Sequence, residues 1–408
     1  MKIPFTFFIL IFSFFATSAA IASDLPKFDP PPDEVVYRGV TEEQWETISR
    51  IGDPLNCRQR VYDLQNLDFD EFYELKPEDC QNESCINDLL LKNNKILLRE
   101  GIYETFPIKL FSKTILGYPN ERIILNIKGN VGIDISYSNL ANIIIQNAGD
   151  KGIDIGHKSF IYKVVVGNTG IHNKLSQRGI GFRLKEGSSA QDTCIVSAEA
   201  YNGYNYKSKY SFGYFGGAAD GFDMKFSSAK NITFIDTHAH HNSDHGFDFF
   251  CSGNKDQEPV IRMYYSSAIK NKNPYKRGGD GGGIKIGGQL SDHECNFSDV
   301  RSSPRILYST VACFNPGPDP NIHNPDAIKV KKINSSNDPH NLKCNDFSYI
   351  KKIKERSFDI APLIDEETDS IINQGQFFDP EKDKNNTNLN DTELTEEIDN
   401  MFSNQLPE

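Results

Sequence analysis

A four-residue phrase returns along the middle of the chain and limits the folds open to it. "GIDI" at 132–135 recurs as "GIDI" at 152–155. Variants follow as "GFRL" at 181–184, "GFDM" at 221–224, "GFDF" at 246–249, "GIKI" at 283–286 and "AIKV" at 327–330. Gly132 to Gly152 is a step of 20 residues and Gly221 to Gly246 one of 25, so the longer steps imply inserted loops. Short strands at this period mark a β-solenoid, in which no coil buries its apolar face alone and coils must stack. Strand side chains alternate, so the Ile residues of "GIDI" point inward and the Asp points out. A second repeat lies between these runs: "AHHN" at 239–242, "AIKN" at 268–271 and "ACFN" at 312–315 place Ala three residues before Asn. Asn147, Asn168 and Asn202 read as weaker members of that set, and recurring Asn at one turn predicts a stacked amide ladder. The competing architecture is an antiparallel sandwich with accidental repeats, which the scarcity of hairpin dipeptides disfavours.

The flanks differ from this middle. Lys2, the apolar run Ile3–Phe15 and Ala20-Ile21-Ala22 have the form of a secretory signal peptide, with cleavage expected after Ala22. The apolar run is short for a membrane span, so an exported protein, secreted or periplasmic, is expected. Residues 23–93 are expected to form a Pro-rich leader and a helical cap. "TEEQWETISRI" has Thr41 as a cap and Trp45, Ile48 and Ile51 on one face. "SCINDLLLKN" predicts a second helix, placed to cover the first coil. The β domain is expected over 94–350. Residues 351–408 are expected to be a C-terminal cap or an acidic tail, with "DTELTEEIDNMF" as an amphipathic helix.

The net charge of −12 argues against nonspecific nucleic-acid binding. It is uneven: Lys255–Arg305 holds nine Lys/Arg against six Asp/Glu, and Ile364–Glu408 two against thirteen. A locally basic stretch inside an acidic chain suits an anionic ligand, although a solvated charge mix reads the same way. Eight cysteines fit an oxidising compartment, and no C-x-x-C pair occurs. Cys80 and Cys85 are near enough to pair; the central cysteines read equally as buried thiols. The chain is expected to act as a monomer.

In a parallel solenoid, residues far apart in sequence become neighbours about 4.8 Å apart when they hold equivalent coil positions. Asp220 precedes "GFDMK", Asp244 precedes "HGFDF" and Asp280 precedes "GGGIKIGG". The outward strand positions add Asp223, Lys225, Asp248 and Lys285. Stacked carboxylates repel unless a cation or proton sits between them, and oxygen ligands from several coils suit Ca²⁺. Asp220, Asp244 and Asp248 are therefore candidate calcium ligands, with His245 beside them; singly, an Asp before Gly is as readily a turn cap. Lys285 stands in the most glycine-dense stretch, "GDGGGIKIGG", where missing side chains would let a polymer approach the backbone. A metal charge nearby would lower its pKa and free the amine to act as a base. Read alone, it is equally an ordinary exposed lysine.

"ADGFDMK" at 219–225, "HNSDHGFD" at 241–248 and "GDGGGIKIGG" at 279–288 resemble polysaccharide lyase family 9. "ILLREGIYE", "ILGYPNERIIL" and "NAGDKGIDIG" look like that family's early coils, and the resemblance covers roughly 94–330. It implies an all-β, right-handed parallel β-helix with short helical caps, and cleavage of pectate or polygalacturonate by β-elimination. By position, Asp220, Asp244 and Asp248 match the family's calcium-binding aspartates and Lys285 its catalytic base. His245 stands where the family pattern "SDDGWD" has a second aspartate. That leaves calcium, a recruited Asp223 or water, or another divalent metal open. Lys225, Arg262, Lys276 and Arg277 are candidate uronate-binding residues. Two other readings stand beside the lyase: a noncatalytic glycan-binding β-helix, and a solenoid glycoside hydrolase with Asp244 and Asp248 as its acid pair.

Overall fold

The computed structural model describes residues 39–53, 55–170, 178–185, 191–203, 219–225, 230–249, 261–269, 271, 282–286, 305–313, 315, 322–323 and 330–333. Every strand pairing among them is parallel. Antiparallel hairpins would be required for a sandwich, so the stacked-coil architecture holds. A β-helix results, with two sheets along its length.

One sheet carries the repeated phrase, except that "AIKV" does not belong to it: Ile322–His323 follows Ile284–Lys285 there, and Val330 opens a strand of the other sheet. The sheet of the repeat runs through Ile108–Phe111, Val131–Ser136, Lys151–Ile155, Ile180–Leu184, Phe222–Asp223, Phe247–Asp248, Ile284–Lys285 and Ile322–His323. Inward residues of these strands are sealed from solvent: Ile133, Ile153, Phe182, Phe222, Phe247 and Ile284 all belong to one continuous core. The rings of Phe182, Phe222 and Phe247 stack coil on coil at 4.6 Å between centroids. That spacing matches the rise of a parallel ladder, so one aromatic per coil fits without a void. Each buried ring contributes about 1.5–3 kcal/mol. The leading glycines also stack. A Cβ on Gly221 would lie 2.8 Å from Ala239 Cβ and from Gly246 O, so this turn tolerates no side chain.

The second, larger sheet bends into two walls. The bend is a column of residues with positive φ: Asn142, Lys163, Ser197, Asp236, Tyr265 and Ser309. On its first wall an outward column, Leu97, Leu116, Ala141, Tyr162, Val196, Ile235 and Tyr264, is apolar from coil to coil. An apolar outer face needs a cover, and the N-terminal segment supplies it. Helix α1 (Glu42–Ile51), with Thr41 in a full capping box, buries Trp45 and Ile48 there. Helix α2 (Cys57–Gln65), which the sequence reading did not anticipate, adds Val61 and Leu64. A disulfide joins Cys57 to Cys194 on that wall. Tyr264 Oη donates to the Gly52 carbonyl at 2.8 Å. Helix α3 (Cys85–Lys92) buries Ile86 and Leu90 against the first coils, as expected of a cap, and Cys80 pairs with Cys85. The ladder itself begins earlier than residue 94, at Tyr73–Leu75.

The asparagine ladder is present, with one correction. Asn242 Nδ2 donates to Asn271 Oδ1 at 3.0 Å, and Asn271 Nδ2 to Asn315 Oδ1 at 3.1 Å. Each amide also donates to the alanine carbonyl one coil back, at Ala200, Ala239 and Ala268. Asn147, Asn168 and Asn202 are not members of this column. They have positive φ, as does His241, and they sit one residue ahead of the ladder; Gly203, not Asn202, meets Asn242.

The signal-peptide segment, the C-terminal region, Asp280, and Cys251, Cys295 and Cys344 lie outside the described residues. Among the described residues no helix is long and apolar enough to cross a membrane.

Candidate functional site

Strand register decides which outward side chains meet. Asp223 pairs with Asp248, which pairs with Lys285, which pairs with His323. Arg183 precedes Asp223 in the same column. Four successive coils thus place Arg183, Asp223, Asp248 and Lys285 on one face. Two residues back from each strand lies the turn. Counting back from the Phe222–Phe247 and Phe247–Ile284 pairs aligns Asp220 with His245 and with Gly282. Asp244 falls one residue earlier than Asp220 in register, so the two do not share a rung as the sequence spacing implied. They still meet, because the His245 ring bridges between them.

The cluster is buried: Asp220, Asp248 and His245 have 1% exposure or less. His245 Nδ1 lies 3.1 Å from Asp244 Oδ1, 3.4 Å from Asp220 Oδ1 and 3.7 Å from Asp248 Oδ2. The His245 backbone N–H donates to Asp220 Oδ1 at 3.0 Å. From the other side, Lys225 Nζ reaches Asp220 Oδ2 at 2.9 Å and Asp248 Oδ2 at 3.0 Å. Buried carboxylates in this number require nearby positive charge. Burial alone would push the His245 imidazolium down, but Asp244 foremost, with Asp220 and Asp248, lifts it to about 10. Lys225 follows the same pattern: burial pulls it down, and the surrounding acids raise it well above the usual lysine value. Asp223 is pushed up to about 6, chiefly by burial and then by Asp220 and Asp248, against the pull of Lys225 and Arg183.

Gly282 has a purpose the sequence reading did not assign. A Cβ there would lie 2.5 Å from Cδ2 of His245, so this glycine makes room for the imidazole on the neighbouring coil. Lys285, half-buried, occupies the outward position beside Asp248. Arg183, unremarked in the sequence reading, lies with its Nε 3.8 Å from Asp223 Oδ2. Its signal was the repeat itself, since "GFRL" places Arg where its neighbours carry Asp.

Arg262 is a correction. It lies on Ile261–Tyr264 of the larger sheet, paired with Thr233 and Ile306, and not on the wall that carries the cluster. Its side chain is outward there because the flanking Ile261 and Met263 occupy the core. Lys276 and Arg277 lie outside the described residues.

One donor atom from each of Asp220, Asp244 and His245 lies within 4.8 Å of the others, a grouping that could hold a metal ion. A model of the Pel9A-like right-handed β-helix region matches residues 93–355, well over half of the chain. The chain belongs to that family. Its β-helix is therefore right-handed. A curated relative is pectate lyase L of Dickeya dadantii (strain 3937), 29% identical over 146 residues, covering 34% of this chain and 31% of that protein. The chain thus spans about a third of the length of the curated relative it matches. Among solved structures, pectate lyase Pel9A aligns with a TM-score of 0.41 at 20% identity, over 54% of this chain and 55% of that one. A rhamnogalacturonan lyase aligns with a TM-score of 0.38 at 17% identity, over 54% and 60%. Within the family's β-helix, Asp223, Asp248 and Lys285 lie on the sheet that carries the repeated glycines, and Asp220, Asp244 and His245 lie in the turns that lead into it.

Proposed function

We propose that this protein is an exported polysaccharide lyase that cleaves an acidic, uronate-containing polymer by β-elimination. The observation that supports it most is the register Asp223–Asp248–Lys285 on one outward face, next to the buried Asp220, Asp244 and His245. The family membership and the names of the relatives point the same way.

Lys285 is the proposed base. Its neutral amine takes the proton from C5 of the uronate, the electrons of that bond form the C4–C5 double bond, and the C4–oxygen bond breaks. The departing oxygen takes a proton from water, and the Lys285 ammonium gives its proton to the hydroxide left behind. The products are a new sugar end and an unsaturated uronate. A divalent cation at Asp220, Asp244 and His245, with Asp248 beside them, would stabilise the negative charge that develops on the substrate carboxylate. Carboxylate oxygens alone would suit calcium, and the imidazole of His245 makes the identity of the ion a separate question. Lys225 fixes two of those carboxylates from behind, and Arg183 places a further positive charge on the same face for a neighbouring uronate. Lys276 and Arg277 are proposed to bind neighbouring uronates. A lysine base predicts turnover that rises towards alkaline pH.

The raised pKa of Asp223 supports a hydrolase as the second reading, because a carboxyl near 6 suits a general acid. Product mass separates the two. Digestion of polygalacturonate in the presence of divalent cation should give fragments whose masses sum to that of the parent, as elimination requires. Fragments whose summed mass exceeds that of the parent by one water per cleavage would establish hydrolysis and refute the lyase.

A further inference from the structure

An imidazole stands among carboxylates at the heart of this site, and its chemistry differs from that of the oxygen cage expected of a calcium protein. We propose that the site formed by Asp220, Asp244 and His245 selects a first-row transition-metal ion such as Mn²⁺, Co²⁺ or Zn²⁺ over Ca²⁺. The inference rests on the cation-site reading given above and names the class of ion.

Geometry comes first. Donors at about 2.0–2.2 Å from a common ion, and about 90–110° apart, stand roughly 3–3.6 Å from one another. His245 Nδ1 is 3.1 Å from Asp244 Oδ1 and 3.4 Å from Asp220 Oδ1, both within that range, and the three residues offer donors within 4.8 Å of one another. Spacing of this size also suits a larger ion, and the donor type decides between them. Ca²⁺ takes six to eight oxygen ligands and gains little from nitrogen, whereas an imidazole whose proton the metal displaces is a preferred ligand of Mn²⁺-to-Zn²⁺ ions. Two further oxygens that calcium would require, Oδ2 of Asp220 and Oδ2 of Asp248, are turned towards Lys225 Nζ at 2.9 and 3.0 Å. What remains is a compact set of two carboxylates and one imidazole.

The ring is also held in place by the fold. His245 has 1% exposure, and its edge lies against the next coil, where only a glycine fits. Gly282 and His245 are thus matched across a coil boundary. A surface histidine that merely replaced an aspartate would not need this clearance.

The test uses the full chain stripped of metal by chelator, without substrate. Ca²⁺, Mn²⁺ and Zn²⁺ affinities are measured by equilibrium dialysis, and Co²⁺ is added as a visible-absorption probe of nitrogen ligation. Mn²⁺ should bind at one equivalent at least tenfold more tightly than Ca²⁺. His245→Asp should reverse that order and abolish the nitrogen signature of bound Co²⁺. Gly282→Ala should weaken Mn²⁺ binding by displacing the ring, with the carboxylates untouched; it keeps the proposal testable should His245→Asp fail to fold. Ca²⁺ binding at least as tight as Mn²⁺ would overturn the inference, as would no stoichiometric binding or an unchanged Mn²⁺/Ca²⁺ ratio in His245→Asp. Because no substrate is present, an inactive protein that binds Mn²⁺ sinks the lyase reading alone. An active one that prefers Ca²⁺ sinks this inference alone.

Discussion

Two stretches of the same sheet use one backbone for different ends. In the early coils, the outward position of the repeat holds Asp134 and Asp154, each partly exposed and each paired with a lysine, Lys185 and Lys151. Three coils later the same position holds Asp223 and Asp248, both buried, and the turn before them adds Asp220, Asp244 and His245. The inward residues change only in size, from Ile153 to Phe182, Phe222 and Phe247. The solenoid thus keeps its core pattern constant and writes chemistry in the outward and turn positions. Isolated charges in the early coils are solvated and paired; crowded ones in the later coils must share cations.

The sharpest structural contrast lies in the core stack. Phe222→Ala removes the middle ring of three and should cost about 3–5 kcal/mol, read as the denaturation midpoint at constant slope. Next comes the covering segment. Cys57→Ser opens a disulfide that spans 137 residues and should cost about 2–4 kcal/mol. The strands carrying Tyr162, Val196 and Ile235 should then exchange amide hydrogens faster, while those of the site sheet should not. Asn271→Ala interrupts the ladder, removing the acceptor of the Asn242 backbone N–H and a donor to the Ala239 carbonyl, at about 1–3 kcal/mol.

The smallest effects test the comparison directly. Asp223 has a folded pKa raised from 3.8 to about 6, so its contribution to stability is present below pH 4 and is lost as pH rises through 6. Asp223→Asn should therefore gain stability relative to the wild type between pH 4 and pH 7. Asp134→Asn, at a partly exposed pair, should change stability by about 1 kcal/mol or less. Equal responses of the two positions to pH would show that the later coils are not electrostatically distinct.

The fold was legible because a solenoid repeats, and the glycine-led phrase exposed both the coil and the inward face. Asp220 and Asp248 were legible for the same reason, since coil position places them one turn apart on neighbouring coils; Asp244 falls one residue out of that register and meets Asp220 through His245. Three features were not. Arg262 lies within the basic stretch of the sequence yet on a different wall, because charge along a chain does not reveal which sheet a residue joins. Asn202 was assigned to the ladder although it follows Ala200 by two residues, not three, and that single residue moves it to a bend with positive φ. The space that Gly282 makes for His245 is a contact between coils 37 residues apart in sequence, and no local pattern encodes it.

The central claim is tested most directly by ultraviolet absorbance of unsaturated uronide product on polygalacturonate, across alkaline pH with divalent cation. Wild type, Asp134→Asn and Lys285→Ala are compared side by side. The wild type and Asp134→Asn should form product at similar rates. Lys285→Ala, folded by circular dichroism, should fall by a factor of about 10²–10⁴, the usual contribution of a positioned base. A Lys285→Ala protein as active as the wild type, or a wild type that forms no unsaturated product on any uronate polymer, would contradict the account.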